Sequence, residues 1–314
     1  RNWTGLPTPT GLLLALLALL WLLGRVVVFT GPGLLAAIID VLFVPALGVA
    51  VAVPILRSHN TRNYKILFIL LALLAANIAF HFSMAGVLPA NVSSKAILFA
   101  THVVLLLLAI VGGRVIPAFT GNAIPGAMPR QHIGVDALAM GGLIAVAIAT
   151  WLVLPPIVLS ILYALAAAAH FVRLLLWEPL KTLGNPLLWN LPAAYLWILV
   201  SLILGALSAL HIVLPFTAIH AMTVGAISSM MMAMMMRSTL GHTGRELRAS
   251  RLDVVAYLVL QAAAVARVFA MIAPTHLYNA LVAVSGSAWI LAFGLYLVHY
   301  GPMLIRPRDD GRPG

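Results

Sequence analysis

Five of the ten histidines in this chain, His81, His102, His211, His220 and His276, fall near one end of different hydrophobic segments. When the segments are numbered in order, these ends lie at about the same depth on one side of a membrane. Neutral imidazole binds haem iron, copper and zinc, and ligands on facing helices are the usual way in which a helical bundle builds such a site. Because polar groups inside a bilayer are costly, this layer predicts a functional site.

The histidines differ in how far they lie inside their segments. His211 and His276 also fit a simple interfacial role, because membrane interfaces tolerate polar tips. His102 and His220 lie one to two turns inside, where an unpaired imidazole is costly, so a structural and a binding role both stay open for them.

Two basic residues, Arg25 and Arg267, lie within segments toward the same end. Arg267 has two sensible partners, Asp40 in a structural pair or the carboxylates of a haem, and the sequence does not choose between them. Arg25 is the second candidate for a haem carboxylate.

The elements that carry these residues follow from composition. The chain is 63% hydrophobic and 8% charged, whereas soluble proteins are about 25% charged. Runs of about 20 apolar residues predict membrane helices, and strands would give shorter, alternating segments. We therefore predict an all-α, polytopic transmembrane bundle of about ten helices, forming a single domain over 1–314 with a short cytoplasmic tail from about 302. The predicted runs are 11–29, 34–56, 65–85, 95–113, 133–153, 157–176, 189–211, 216–236, 253–273 and 277–300.

Lysine and arginine predict the orientation, because they accumulate in cytoplasmic loops. Fifteen lie on one side of the predicted helices and only Lys95 on the other. Both ends of the chain are therefore expected in the cytoplasm. The net charge of +11 is explained by topology and anionic lipid, so no nucleic-acid partner is needed.

The absence of cysteine excludes covalent haem attachment through CxxCH, thiolate-bound iron–sulfur clusters and disulfides. Any haem would be non-covalent, and any copper would use His, Met or oxygen ligands. Six of the seven residues from Met230 to Met236 are Met. Consecutive residues point around the whole helix, so a packing surface is favoured over a copper site.

Several motifs occur in an order that resembles one known family. They are His220-Ala-Met-Thr-Val-Gly225 with the Met-rich helix, Arg237-Ser-Thr-Leu-Gly-His-Thr-Gly-Arg245, Arg114-Val-Ile-Pro-Ala-Phe-Thr-Gly-Asn122, Ala266-Arg267-Val268 and the opening Asn2-Trp3-Thr4-Gly5. Together they resemble the NnrS family over essentially the whole chain. The resemblance implies a membrane protein that contains haem and copper and takes part in the response of denitrifying and related bacteria to nitric oxide. It carries over His220, Arg237, Gly241, His242, Arg245 and Arg267 as motif positions, whereas His81, His102 and His211 rest on depth alone.

Members of the family typically have about twelve spans, with two further helices and a His-x-His-Glu segment before the Asn-Trp-Thr-Gly loop. This chain starts after that region, so we expect it to lack two helices. Two additional spans would bring the chain back to the same side of the membrane, so the predicted orientation is unchanged. A metal site that used those histidines would be incomplete here.

The leading hypothesis is a haem and copper protein of nitric oxide tolerance, with lipid around it and nitric oxide as its small-molecule ligand. Whether it turns over nitric oxide, and what donates electrons to it, stays open. The alternative is a cofactor-free transporter or permease whose polar layer lines a substrate path, which broken helices and an internal repeat would favour. Pro45, Pro54 and Pro117 mark possible bends, but no convincing repeat is present. A third reading is an assembly factor that delivers metal without catalysis.

Overall fold

The fold was analysed in a computed structural model that describes residues 4–31 and 33–311. Those residues form helices and connecting loops and contain no strand, which confirms the predicted all-α class. Nine of their helices are long and apolar enough to cross a membrane. Arg1, Asn2, Trp3 and Arg312, which entered the topology and family arguments, lie outside the described residues.

The described residues form ten main helices, one after another. They are α1 (Gly11–Thr30), α2 (Leu34–Arg57), α3 (Tyr64–Met84), α4 (Asn91–Ala123), α5 (Ile133–Ala149), α6 (Pro156–Leu176), α7 (Pro186–Ala209), α8 (Pro215–His242), α9 (Arg251–Ala270) and α10 (Thr275–Ile305).

Several observed helix ends differ from the predicted runs by four to ten residues. Helix α5 ends at Ala149 rather than 153 and has 17 residues, which leaves it out of the nine long spans. The residue before a proline is disfavoured in α-helix, so Pro155 and Pro156 stop the apolar run early, and Pro156 then begins α6. Helix α4 continues ten residues past the predicted end at 113, through Pro117. Pro45 and Pro54 likewise lie inside α2 and do not divide it.

The chain forms two compact units, 1–107 and 108–314, with the boundary inside α4. The single domain predicted from the sequence stays a prediction. In the first unit, α1 packs on α2 where Gly24 meets Asp40. A Cβ at Gly24 would lie 3.3 Å from Asp40 Oδ1, so the absence of a side chain allows this approach. Most of the leucines of α1 are exposed, as expected for a surface that faces lipid.

The second unit contains the larger buried core. Part of it consists of Met232 and Met236 of α8 packed with Tyr257 of α9 and Tyr296 of α10. The methionines are therefore packing residues, in keeping with their flexible thioether side chains. Helix α9 begins with a capping box in which Ser250 and Asp253 exchange hydrogen bonds.

Helix α8 is not α-helical throughout. Residues Ala221–Ile227 form a π-helical segment that begins directly after His220. Gly225 lies in this segment against the ring of Trp197 in α7, where a side chain would clash. Single π-helical turns inside α-helices occur frequently at functional sites.

Candidate functional site

His220 and Arg267 form a pair of polar residues in the second unit. His220 ends the first turns of α8, and Arg267 lies in the last turn of α9. Both are partly buried, and the helices that carry them are in contact. Neither side chain has a hydrogen bond or an ion pair to any residue that the structure describes. Intramembrane ionisable groups are normally paired, so this pair has the features of an anionic ligand site.

His211 lies in the turn between α7 and α8, and His276 lies where α10 begins after α9. Both are exposed, and His211 adopts a left-handed backbone conformation with φ 60° in the turn between α7 and α8. His211 lines a shallow cavity of about 290 Å³ together with Pro215 and Met271. His276 is in the first turn of α10. Their positions fit the interfacial role, and their proposed role as metal ligands stays a prediction.

In the first unit, Arg25, Asp40 and His81 form a hydrogen-bonded triad across α1, α2 and α3. Arg25 pairs with Asp40 Oδ1, and the His81 Nε2–H donates to Asp40 Oδ2 at 3.0 Å. The Asp40 side chain is buried. Asp40 thus has its cationic partner in Arg25. The sequence had left Asp40 open as a partner of Arg267. Arg25, predicted to neutralise a haem carboxylate, already holds a protein carboxylate.

A cavity of about 820 Å³ adjoins this triad. Residues of α1, α2 and α3 line it, and His81 contributes the one polar side chain of that lining. Pockets that bind small molecules are usually apolar with a few placed polar groups, and this cavity has that character.

His102 is completely buried in α4. Its Nδ1–H donates to the Leu98 carbonyl of its own helix at 2.9 Å. This bond fixes the ring tautomer and leaves Nε2 unprotonated, which suits either a structural histidine or a ligand.

No group of three or more His, Asp or Glu side chains comes together to hold a metal ion among residues 4–31 and 33–311. A copper site of that composition therefore does not fit the described residues. A haem needs less from the protein, namely one imidazole for the iron and a cation for its carboxylates. His220 and Arg267 fit that requirement because their polar atoms have no other described partner.

The motif positions of the 237–245 segment are held by packing and by the chain after α10. The Arg237 guanidinium lies 3.7 Å from the centre of the Phe119 ring. Arg237 and Gly241, which lie beyond the predicted run 216–236, belong to the last turns of α8. The helix continues there because Gly241 is compatible with a helical backbone, and the left-handed residue that ends the turn is Gly244, with φ 75°.

The carboxyl end of the described chain folds back on the same segment. Arg308 donates to the His242 carbonyl at 2.9 Å, and Arg245 pairs with Asp309 at 2.9 Å. His242, at the end of α8, and Arg245 therefore hold the segment after α10 by a hydrogen bond and an ion pair.

Sequence reasoning missed a buried polar cluster formed by Asp136, His170, Arg173 and Tyr195. Arg173 donates to Asp136 at 2.5 Å and to the Tyr195 hydroxyl at 2.8 Å. His170 Nε2–H donates to the Ala139 carbonyl, so its Nδ1 accepts from the Tyr195 hydroxyl at 2.6 Å. Arg173 is one of the fifteen basic residues counted on the cytoplasmic side of the predicted helices. An acid and a base at facing ends of α5 and α6, Asp136 and Arg173, were the signal that could have revealed the cluster.

A protein-family model matches nearly the whole chain. The model of the family described as NnrS protein matches residues 1–308. The chain belongs to the NnrS family. This confirms the resemblance found in its motifs and makes it a membrane protein of a family associated with the nitric oxide response. A comparison with the curated proteins found no match.

The family match shows which of the polar groups described above lie in family motifs. The paired His220 and Arg267 belong to two of the motifs by which the sequence resembles the NnrS family. The Arg25–Asp40–His81 triad includes none of those motif positions. Family membership therefore directs attention to the second unit first.

Proposed function

We propose that this NnrS-family protein is a bacterial inner-membrane haem protein of nitric oxide tolerance. The observation that carries the proposal is the pair His220 and Arg267, an imidazole and a guanidinium on contacting apolar helices, neither with a described hydrogen-bond or ion-pair partner. A ligand that supplies both a Lewis acid and a carboxylate would satisfy both groups, and haem is such a ligand.

His220 would hold the haem iron through its imidazole, and Arg267 would hold a propionate. The bound haem supplies an iron that binds nitric oxide. The apolar side chains of α8 and α9 exclude water, and nitric oxide, a small apolar gas, partitions into the lipid and reaches the helices from there. The π-helical segment Ala221–Ile227 begins immediately after His220, and such segments are frequent at functional sites.

Copper is also implied by the family, but this proposal concerns the haem, because no three His, Asp or Glu side chains come together among the described residues. The transporter alternative gains no specific observation, since α2 and α4 continue through their prolines.

The predicted orientation belongs to the proposal, with the His220 end toward the periplasm and both ends of the chain in the cytoplasm. Single-cysteine labelling of this cysteine-free chain tests it directly. An impermeant maleimide should label Ser94→Cys, but not Glu246→Cys, in intact spheroplasts.

An optical spectrum of the purified chain, oxidised and dithionite-reduced, with and without nitric oxide, tests the haem. We expect a Soret band that shifts on reduction and again with the gas. His220→Ala should lose most of the band, whereas His276→Ala, at an exposed position, should keep it. A chain made in haem-replete cells without a Soret band would contradict the proposal, and so would a band unchanged in His220→Ala.

A further inference from the structure

The cavity beside His81 has the volume of a small-molecule site. It measures about 820 Å³, within the range of roughly 300–1,000 Å³ that ligand pockets occupy. Its lining comes from three helices that are among the long membrane spans, so a ligand in it would be lipid-soluble. Phe80 and Phe82 contribute aromatic rings to the lining.

The hydrogen bonds of the triad determine what His81 offers to the cavity. An ionised carboxylate only accepts hydrogen bonds, so Nε2 of His81 carries the proton that is shared with Asp40. In a neutral imidazole the other nitrogen, Nδ1, is then an acceptor. Among the residues that the structure describes, none donates to it. His81 lines the cavity, so this acceptor is the polar atom that its side chain has left for a ligand there.

Arg25 determines the charge of the ligand. Because Asp40 is already paired with Arg25, the triad has no spare cation for an anionic lipid or a carboxylate. The complementary ligand is neutral, has a hydroxyl that donates, and has an apolar body large enough for the cavity. An aromatic ring would also pack against Phe80 and Phe82.

We propose that this cavity binds a membrane hydroquinone, with one ring hydroxyl donating to His81 Nδ1 and the apolar tail among α1, α2 and α3. The reduced form has the hydroxyl that Nδ1 requires, whereas the oxidised form presents a carbonyl that cannot donate. The site thus prefers quinol over quinone. The proposal goes beyond the haem site and does not depend on it, since the residues involved are different.

The test is equilibrium binding of decylubiquinol, kept reduced, and of decylubiquinone to the full chain in lipid nanodiscs. We expect saturable binding, with the quinol bound about three- to tenfold more tightly than the quinone, as expected for one buried hydrogen bond. In His81→Leu the preference should disappear. Ala37→Phe fills the cavity and should weaken both ligands by at least about tenfold. Its matched control, Ala75→Phe, adds the same ring to an exposed position of α3 outside the lining and should bind normally.

Three results would overturn the proposal. They are equal affinity of the native protein for the two redox forms, unchanged binding in Ala37→Phe, and equal competition by decanol, which would mean a surface for acyl chains only. The native comparison needs no variant, so a folding defect in one of them does not remove the test. Binding is measured without reference to a Soret band, so failure of the haem proposal and failure of this one are separate outcomes.

Discussion

Arg267 of α9 and His220 of α8 lie on contacting helices, and neither side chain has a hydrogen bond or ion pair to a described residue. The pair contrasts with Arg25 and Asp40 in the first unit, which satisfy each other. An arginine without an anion in an apolar helix is costly, so it is expected to gain one from a ligand.

Replacing Arg267 with Gln should weaken retention of the anionic cofactor while leaving the fold intact. A charge-assisted hydrogen bond contributes about 1.5–3 kcal/mol, which corresponds to at least about a tenfold loss of affinity. Haem retained per protein during dilution in detergent measures the loss. Arg248→Gln, in the exposed loop before α9, is the matched control and should retain haem as the native protein does. Equal retention in both variants would remove Arg267 from the site.

Replacing Tyr195 with Phe should destabilise the second unit. The hydroxyl accepts from Arg173 and donates to His170, and both partners are buried. Leaving buried polar groups unsatisfied costs about 1–3 kcal/mol each. The free energy of unfolding in detergent measures this cost, with Tyr278→Phe at an exposed position as the control. A variant as stable as the native protein would mean that water replaces the hydroxyl.

The contrast between these sites shows what the sequence could predict. Hydrophobic runs of the right length predicted the helices, and the motif around His220 predicted the family. The pairing of Arg25 with Asp40 could not be predicted, because it depends on the close approach that Gly24 allows. The cluster around Arg173 was missed because a basic residue near a helix end has the same pattern whether it is buried or exposed.

The π-helical segment supports a prediction about packing. A methyl group at Gly225 would clash with the Trp197 ring, so Gly225→Ala should displace either the ring or the segment. We expect a loss of about 1–3 kcal/mol, the usual cost of overpacking. Gly294→Ala is the matched control, because no atom lies near its added Cβ and alanine favours helix over glycine. Thermal unfolding, monitored by circular dichroism, distinguishes the two variants. Equal melting temperatures would contradict the close packing of Gly225 against Trp197.

Glu178 gives a prediction for pH. Its hydrogen bonds to Lys181, at 2.9 Å, and to the Met128 backbone N–H hold the pKa of this loop carboxyl below its ordinary value of 4.5. A lowered pKa contributes stability that is complete above the ordinary value and is lost as the pH falls through the lowered one. The melting temperature of the native protein should therefore exceed that of Glu178→Gln at neutral pH, and the difference should shrink below pH 4.5. A difference independent of pH would contradict this assignment.

The most direct test of the account removes the His220 ring and restores it chemically. His220→Gly, purified beside the native chain, should lack the Soret band, and added imidazole should bring back a band that nitric oxide shifts. That result would place the iron ligand at His220. A native Soret band that persists in His220→Gly without imidazole would contradict the account, because the haem would then be held by another residue.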